Sequence, residues 1–136
     1  MKIERPRNTF PYSLHDSHIR KIKVKKNKIV FHFSHIYLYE NETETTCKAS
    51  IIFPNADLDF CSIQVLKSGK KDRIKGKEYS LKKFAEKFPK VDLEVVTDCY
   101  NGYHTIWTGY FYKGKKWYQF HINLWNASPI QYEIKE

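Results

Sequence analysis

No apolar run in the sequence approaches the roughly 18 residues that a membrane-spanning helix needs. The charges in Met1-Lys2-Ile3-Glu4-Arg5-Pro6 are not followed by the apolar stretch of a secretory signal. Both absences lead to the expectation of a cytoplasmic protein without a membrane partner. Cysteine is scarce. Cys47, Cys61 and Cys99 are odd in number and widely spaced, without the short pairings of a zinc site or a disulfide framework, so they read as reduced and mostly buried thiols. Nucleophile elbow, glycine-rich phosphate loop and paired-cysteine motif are all missing, which argues against catalysis and calls for no cofactor or metal. No repeat, low-complexity tract or Pro/Gly/Ser-rich linker divides the chain. Arginine is rare too, with only Arg5, Arg7, Arg20 and Arg73 among the basic residues. Planar bidentate forks for base edges or phosphates are correspondingly few.

What is present suits one domain spanning residues 1–136, since halves of this length would be too small to bury a dependable core. Hydrophobic residues at 41% and aromatics at 16% exclude an apolar-poor disordered chain. The formal charge is +9, from 24 basic and 15 acidic side chains. That excess attracts phosphates or acidic protein surfaces, and it also serves plain solubility.

The dominant period is two. Ile22 and Val24 alternate with lysines, a short turn at Asn27 follows, and Ile29, Phe31 and Phe33 resume the alternation, predicting a hairpin over residues 18–39. Cys47, Ala49, Ile51 and Phe53 predict a strand over 45–53, and Pro54-Asn55 breaks it before another near 58–66. Lys67 to Lys77 has no apolar period and reads as a mobile surface loop. Ser80 suits a helix cap, Leu81, Phe84, Ala85 and Phe88 recur at helical spacing, and Pro89 ends the run. Val91, Leu93 and Val95 return to period two, with Asn101-Gly102 as the centre of a hairpin over 91–112. Lys113 to Lys116 turns the chain into a strand over 117–125, and residues 130–134 suit one more. The expected fold class is α+β, a predominantly antiparallel β-sheet of seven or eight strands with one helix near 80–88.

Counting outward from Asn101-Gly102 pairs Cys99 with His104 and Val95 with Thr108, which puts Ile106 beside the Val91, Leu93 and Val95 row. Uninterrupted alternation beyond Ile106 would then set the Phe120, Ile122 and Leu124 row on the opposite side. Both rows cannot be core, and a bulge at Gly109 would switch the parity. With that bulge, the inner face holds Val91, Leu93, Val95, Ile106 and Phe111, continued by Tyr118, Phe120, Ile122 and Leu124. The outer face collects Trp107, Tyr110, Tyr112, Trp117 and Trp125, with Gln119, His121 and Asn123 between them and Asp92, Glu94 and Asp98 alongside. Rigid aromatics interleaved with hydrogen-bonding groups favour protein binding. Covered by the helix or the N-terminal strands, the same residues would instead form a second, slightly polar core.

Three other constellations carry a chemical reading beside a structural one. His15-Asp16-Ser17-His18 suggests a metal or a general base, but further ligands would have to come from distant strands, and local backbone bonding by Asp16 and Ser17 explains it as well. Cys99 beside Asp98 and facing His104 resembles an activated thiol, or simply a small hydrophobe on a strand. The clusters Arg20, Lys21, Lys23, Lys25, Lys26, Lys28 and Lys67, Lys70, Lys71, Arg73 offer phosphate contacts to nucleic acid. Lysine-protected strand edges and charged loops show the same composition.

Leu14-His15-Asp16-Ser17 followed by Ile19, Ile22, a short turn and an alternating strand resembles the opening of a group of small bacterial proteins. Some members of that group are similar to immunity proteins that neutralise polymorphic toxins. The resemblance covers about twenty-five residues, with a fainter echo in Gly109-Tyr110-Phe111-Tyr112, Trp117, Pro129 and Tyr132. It implies a module that blocks a protein partner by covering it. An immunity protein against a basic nuclease would be acidic, whereas this chain is basic, so the resemblance implies either a partner with an acidic surface or a partner of another class.

Overall fold

The structure, a computed structural model, describes residues 1–6, 10–68 and 74–135. The period-two segments form strands joined mainly by tight turns. Among the described residues these are β1 (Lys2–Glu4), β2 (Tyr12–Ser13), β3 (Ser17–Lys25), β4 (Lys28–Glu40), β5 (Thr43–Phe53) and β6 (Ser62–Ser68). They continue with β7 (Ile74–Ser80), β8 (Leu93–Asn101), β9 (His104–Lys113), β10 (Lys116–Trp125) and β11 (Gln131–Lys135), and α1 is Leu81–Lys87. All pairings in the sheet are antiparallel, in the order β1-β11-β5-β4-β3-β8-β9-β10-β6-β7, with β2 attached to β4. The α+β class is as expected, and the eleven strands exceed the seven or eight expected.

The additional strands are β1, β2 and β7. The first two have three and two residues, too short to show a period. β7 overturns the loop expected over Lys67 to Lys77: Lys67 and Ser68 end β6, and Ile74 to Lys77 begin β7. As the terminal strand of the sheet, β7 carries lysines where an inner strand would carry apolar residues, which is how edges resist further pairing. Lys70, Lys71 and Arg73 lie outside the described residues.

Ser80 caps α1 as expected, its Oγ accepting a 3.2 Å bond from the Lys83 N–H. Leu81 and Phe84 are buried, and the helix packs against β3, β6 and β7 on the inner side of the sheet. No helix among the described residues is long and apolar enough to cross a membrane.

The sheet curls so that its inner face meets itself. β4 and β9 are separated by β3 and β8 in the sheet order, yet the Phe31 ring lies 4.8 Å from that of Trp107. Phe53 of β5 reaches the same indole at 5.4 Å. Register shifts at Ile19/Lys21, Phe33/Ile36 and Val95/Thr97 supply the bends, since each extra residue increases local twist.

The third shift corrects the expected parity. β9 pairs with β10 without interruption from Lys113↔Lys116 to His104↔Trp125, so Gly109 is not a bulge. The extra residue is Val96 on β8, where Val95 pairs with Gly109 and Thr97 with Thr108. The turn is also displaced by one residue: Asn101 pairs with His104, leaving Gly102 and Tyr103 as the turn, with Gly102 at φ +60°. Glycine with positive φ at the first central position is what a type II′ hairpin turn requires. Switching sides on β8 keeps Leu93 and Val95 inside, turns Trp107 into the core, and moves Ile106 to a half-buried place on the outer face.

Candidate outer-face binding surface

β9 and β10 place Tyr112 opposite Trp117, Tyr110 opposite Gln119, and His104 opposite Trp125 on the outer face. Trp117 is 58% exposed, Trp125 42%, Tyr112 37% and Tyr110 36%, whereas Phe120 and Ile122 on the other side of β10 are buried. α1 lies instead against Phe111 and Tyr79 on the inner side, and the N-terminal strands pair with β11 and β4. Among the described residues neither covers these aromatics, apart from His18 of β3 against Tyr112.

Trp107 does not belong to this surface. It is fully buried among Phe31, Phe33 and Phe53, and its Nε1 donates a 3.2 Å bond to the Tyr100 hydroxyl. Asp98 pairs with Trp107 in register and so lies on that same inner side, not with Glu94.

The remaining aromatics are held from several directions. Tyr110 and Trp117 meet edge to face at 5.6 Å. The Tyr112 hydroxyl donates a 2.7 Å bond to Glu94 Oε1, and that bond, with burial and the adjacent carboxylates, pushes its pKa up to about 12. His18 stacks on Tyr112 at 6.2 Å, while its Nδ1 lies 2.6 Å from Asp92 Oδ1. Arg20 Nη1 reaches Asp92 Oδ2 at 3.3 Å. Farther along, the Trp125 indole stacks on His104 at 4.1 Å, and His104 Nε2 bonds Asn123 Oδ1 at 3.1 Å. An open depression of about 290 Å³ beside Tyr110 is lined by Leu66, Val96, Thr108, Gln119 and His121.

The pairing of Asp92 with His18 escapes sequence reasoning because β3 and β8 are far apart in the chain. Only the alternation that placed Asp92 and Glu94 beside the aromatics pointed toward it.

The other constellations are dispersed. His15 Nδ1 bonds its exposed neighbour Asp16 at 3.0 Å, whereas His18 turns to Asp92. Asp16 adopts φ 62° at the turn into β3, and Ser17 is buried. Cys99 is exposed, contrary to expectation, and pairs in register with Ile106 rather than His104. Cys61 is buried, which raises its pKa, and Cys47 is half-buried. Among the described residues no group of three or more His, Cys, Asp or Glu side chains is arranged to hold a metal.

Of the basic clusters, the first and Lys67 lie within the described residues. Lys21, Lys23 and Lys25 alternate outward from β3, Lys26 sits in the turn with φ 56°, and Lys28 opens β4. Arg20 is drawn to Asp92. Lys67, on β6, is separated from β3 by β8, β9 and β10. Compared with protein-family models, curated proteins and solved structures, the chain matches none.

Proposed function

We propose that this protein is a binding module that captures a protein partner through the outer-face aromatics Tyr110, Tyr112, Trp117 and Trp125. The supporting observation is that these rings are exposed yet restrained, Tyr112 by Glu94 and His18, Trp117 by Tyr110, and Trp125 by His104. Restrained aromatics provide contact area at little entropic cost, as interface hot spots do. Gln119, His121 and Asn123 add directional bonds, and the +9 charge favours encounter with an acidic partner. Action by occlusion rather than chemistry, in the manner of an immunity protein, agrees with the resemblance carried by Leu14 to Ser17.

The test is capture of binding partners by the wild type and by Tyr112→Ala/Trp117→Ala. The double variant should keep its circular dichroism and its cooperative unfolding while losing the partner. Equal capture by both proteins would refute the reading.

A further inference from the structure

On the opposite side of the same strands, the inner face ends in a lysine-ringed cavity. Cross-strand pairs along β6 and β7 run from Ile63↔Tyr79 through Val65↔Lys77 to Lys67↔Lys75, so the lining passes from apolar to basic as it leaves the core. Phe111 and Tyr118, from β9 and β10, continue the floor, and Phe88 at the end of α1 closes one side. The cavity measures about 280 Å³.

Five lysines surround it: Lys67, Lys75, Lys77, Lys87 and Lys113. Among the described residues no carboxylate lines it, and the ion pairs are those of His15 with Asp16 and of His18 and Arg20 with Asp92. These exposed lysines therefore rim the site without a described counter-charge. Three of their ammonium groups lie over rings: Lys77 is 5.1 Å from the centre of Tyr79, Lys87 5.4 Å from Tyr79, and Lys113 5.5 Å from Phe88. Burial raises the pKa of the Tyr79 phenol, yet hydrogen bonds and charge from Lys77 and Lys87 bring it below its ordinary value. A concave site walled by apolar rings focuses this positive potential and strengthens its hold on an anion.

Edge protection explains lysines on β7. It does not explain Lys87 from the helix end and Lys113 from the end of β9 converging on the same aromatic floor. The floor suits stacking of a flat ring, and the rim suits phosphate oxygens. The volume is near the lower limit of about 300 Å³ for small-molecule sites, room for one ring and its phosphate rather than a folded partner.

We propose that this cavity binds a planar ring bearing a phosphate, that is, a nucleotide, either free or as one residue of a single strand. The site is separate from the outer aromatic surface, and neither reading depends on the other.

Calorimetric titrations at an ionic strength of about 0.02 M would compare adenosine 5′-monophosphate, adenosine, inorganic phosphate and an oligodeoxyadenylate of about six residues. The monophosphate should bind at least about tenfold more tightly than adenosine or phosphate, because only it engages floor and rim together. Lys77→Gln/Lys113→Gln should weaken it at least about tenfold. Lys48→Gln/Lys135→Gln, an equal charge loss on β5 and β11, should leave it unchanged, with both variants folded by circular dichroism.

An oligonucleotide held more than about tenfold tighter per molecule would identify the source as a strand, and equal affinity would identify a free nucleotide. No binding by either nucleotide form would overturn the proposal. Phosphate binding as tightly as the monophosphate, or equal losses in the two variants, would overturn it as well.

Discussion

A Cβ on Gly109 would lie 1.8 Å from the carbonyl oxygen of Glu94. The two backbones approach this closely where Val96 bulges from β8 and pulls its strand over β9. The same bulge reverses which side chains of β8 share a face with those of β9. It thereby sends Trp107 into the core and leaves Tyr110 and Tyr112 in solvent.

Gly109→Ala should therefore destabilise the protein by about 2–3 kcal/mol, because the clash is with backbone and cannot be relieved by a rotamer change. Urea unfolding measures this directly. A cost under about 0.5 kcal/mol would be that of an ordinary surface substitution and would contradict the close approach.

The two tryptophans should behave oppositely. Trp107→Ala should cost about 3–5 kcal/mol, the usual penalty for emptying an aromatic core site. Trp117→Ala should stay within about 1 kcal/mol of wild type, since its ring is mostly in water. Comparable losses in both would place Trp117 in a packed environment.

Tyr112 should titrate near 12 in the folded protein. Its folded pKa is raised above the ordinary 10, so its contribution to stability is complete below pH 10 and is lost as pH rises toward 12. Glu94→Gln should bring the titration back toward 10, as followed by the ring-carbon resonance. An unchanged midpoint would show that the carboxylate is not the cause.

His32 should respond to acid. Burial lowers its pKa below 6.5, helped by Lys23, Lys135 and Lys21 and opposed by Glu133, and its Nδ1 lies 2.8 Å from Ser50 Oγ. As pH falls through 6.5 the unfolded chain gains a proton that the folded state resists, so stability declines until the folded pKa is reached. Chemical denaturation between pH 7 and pH 5 should show a smaller decline for His32→Gln than for wild type. Parallel curves would assign the acid sensitivity elsewhere.

Local pattern sufficed for much of the architecture. The alternation of Ile22, Val24, Ile29, Phe31 and Phe33 marks β3 and β4, and Ser80 with Leu81, Phe84 and Pro89 marks α1. β7 stayed hidden because an edge strand need not alternate apolar and polar residues. On the outer face, Tyr110, Tyr112, Trp117 and Trp125 were legible together because β9 and β10 pair without interruption. Trp107 was misplaced because one extra residue produces the same parity reversal whether it lies on β8 or β9, and Gly109 marks the strand opposite the bulge.

By itself the sequence determined the period, the hairpins, the capped helix and the excess of lysine, because each depends on residues close together in the chain. Tertiary structure decided which side of β8 faces inward, what leaves the outer aromatics uncovered, and that lysines from four elements converge on one cavity. Those outcomes depend on the β3–β8 pairing and the curl of the sheet, which join segments whose spacing in the chain carries no local signal.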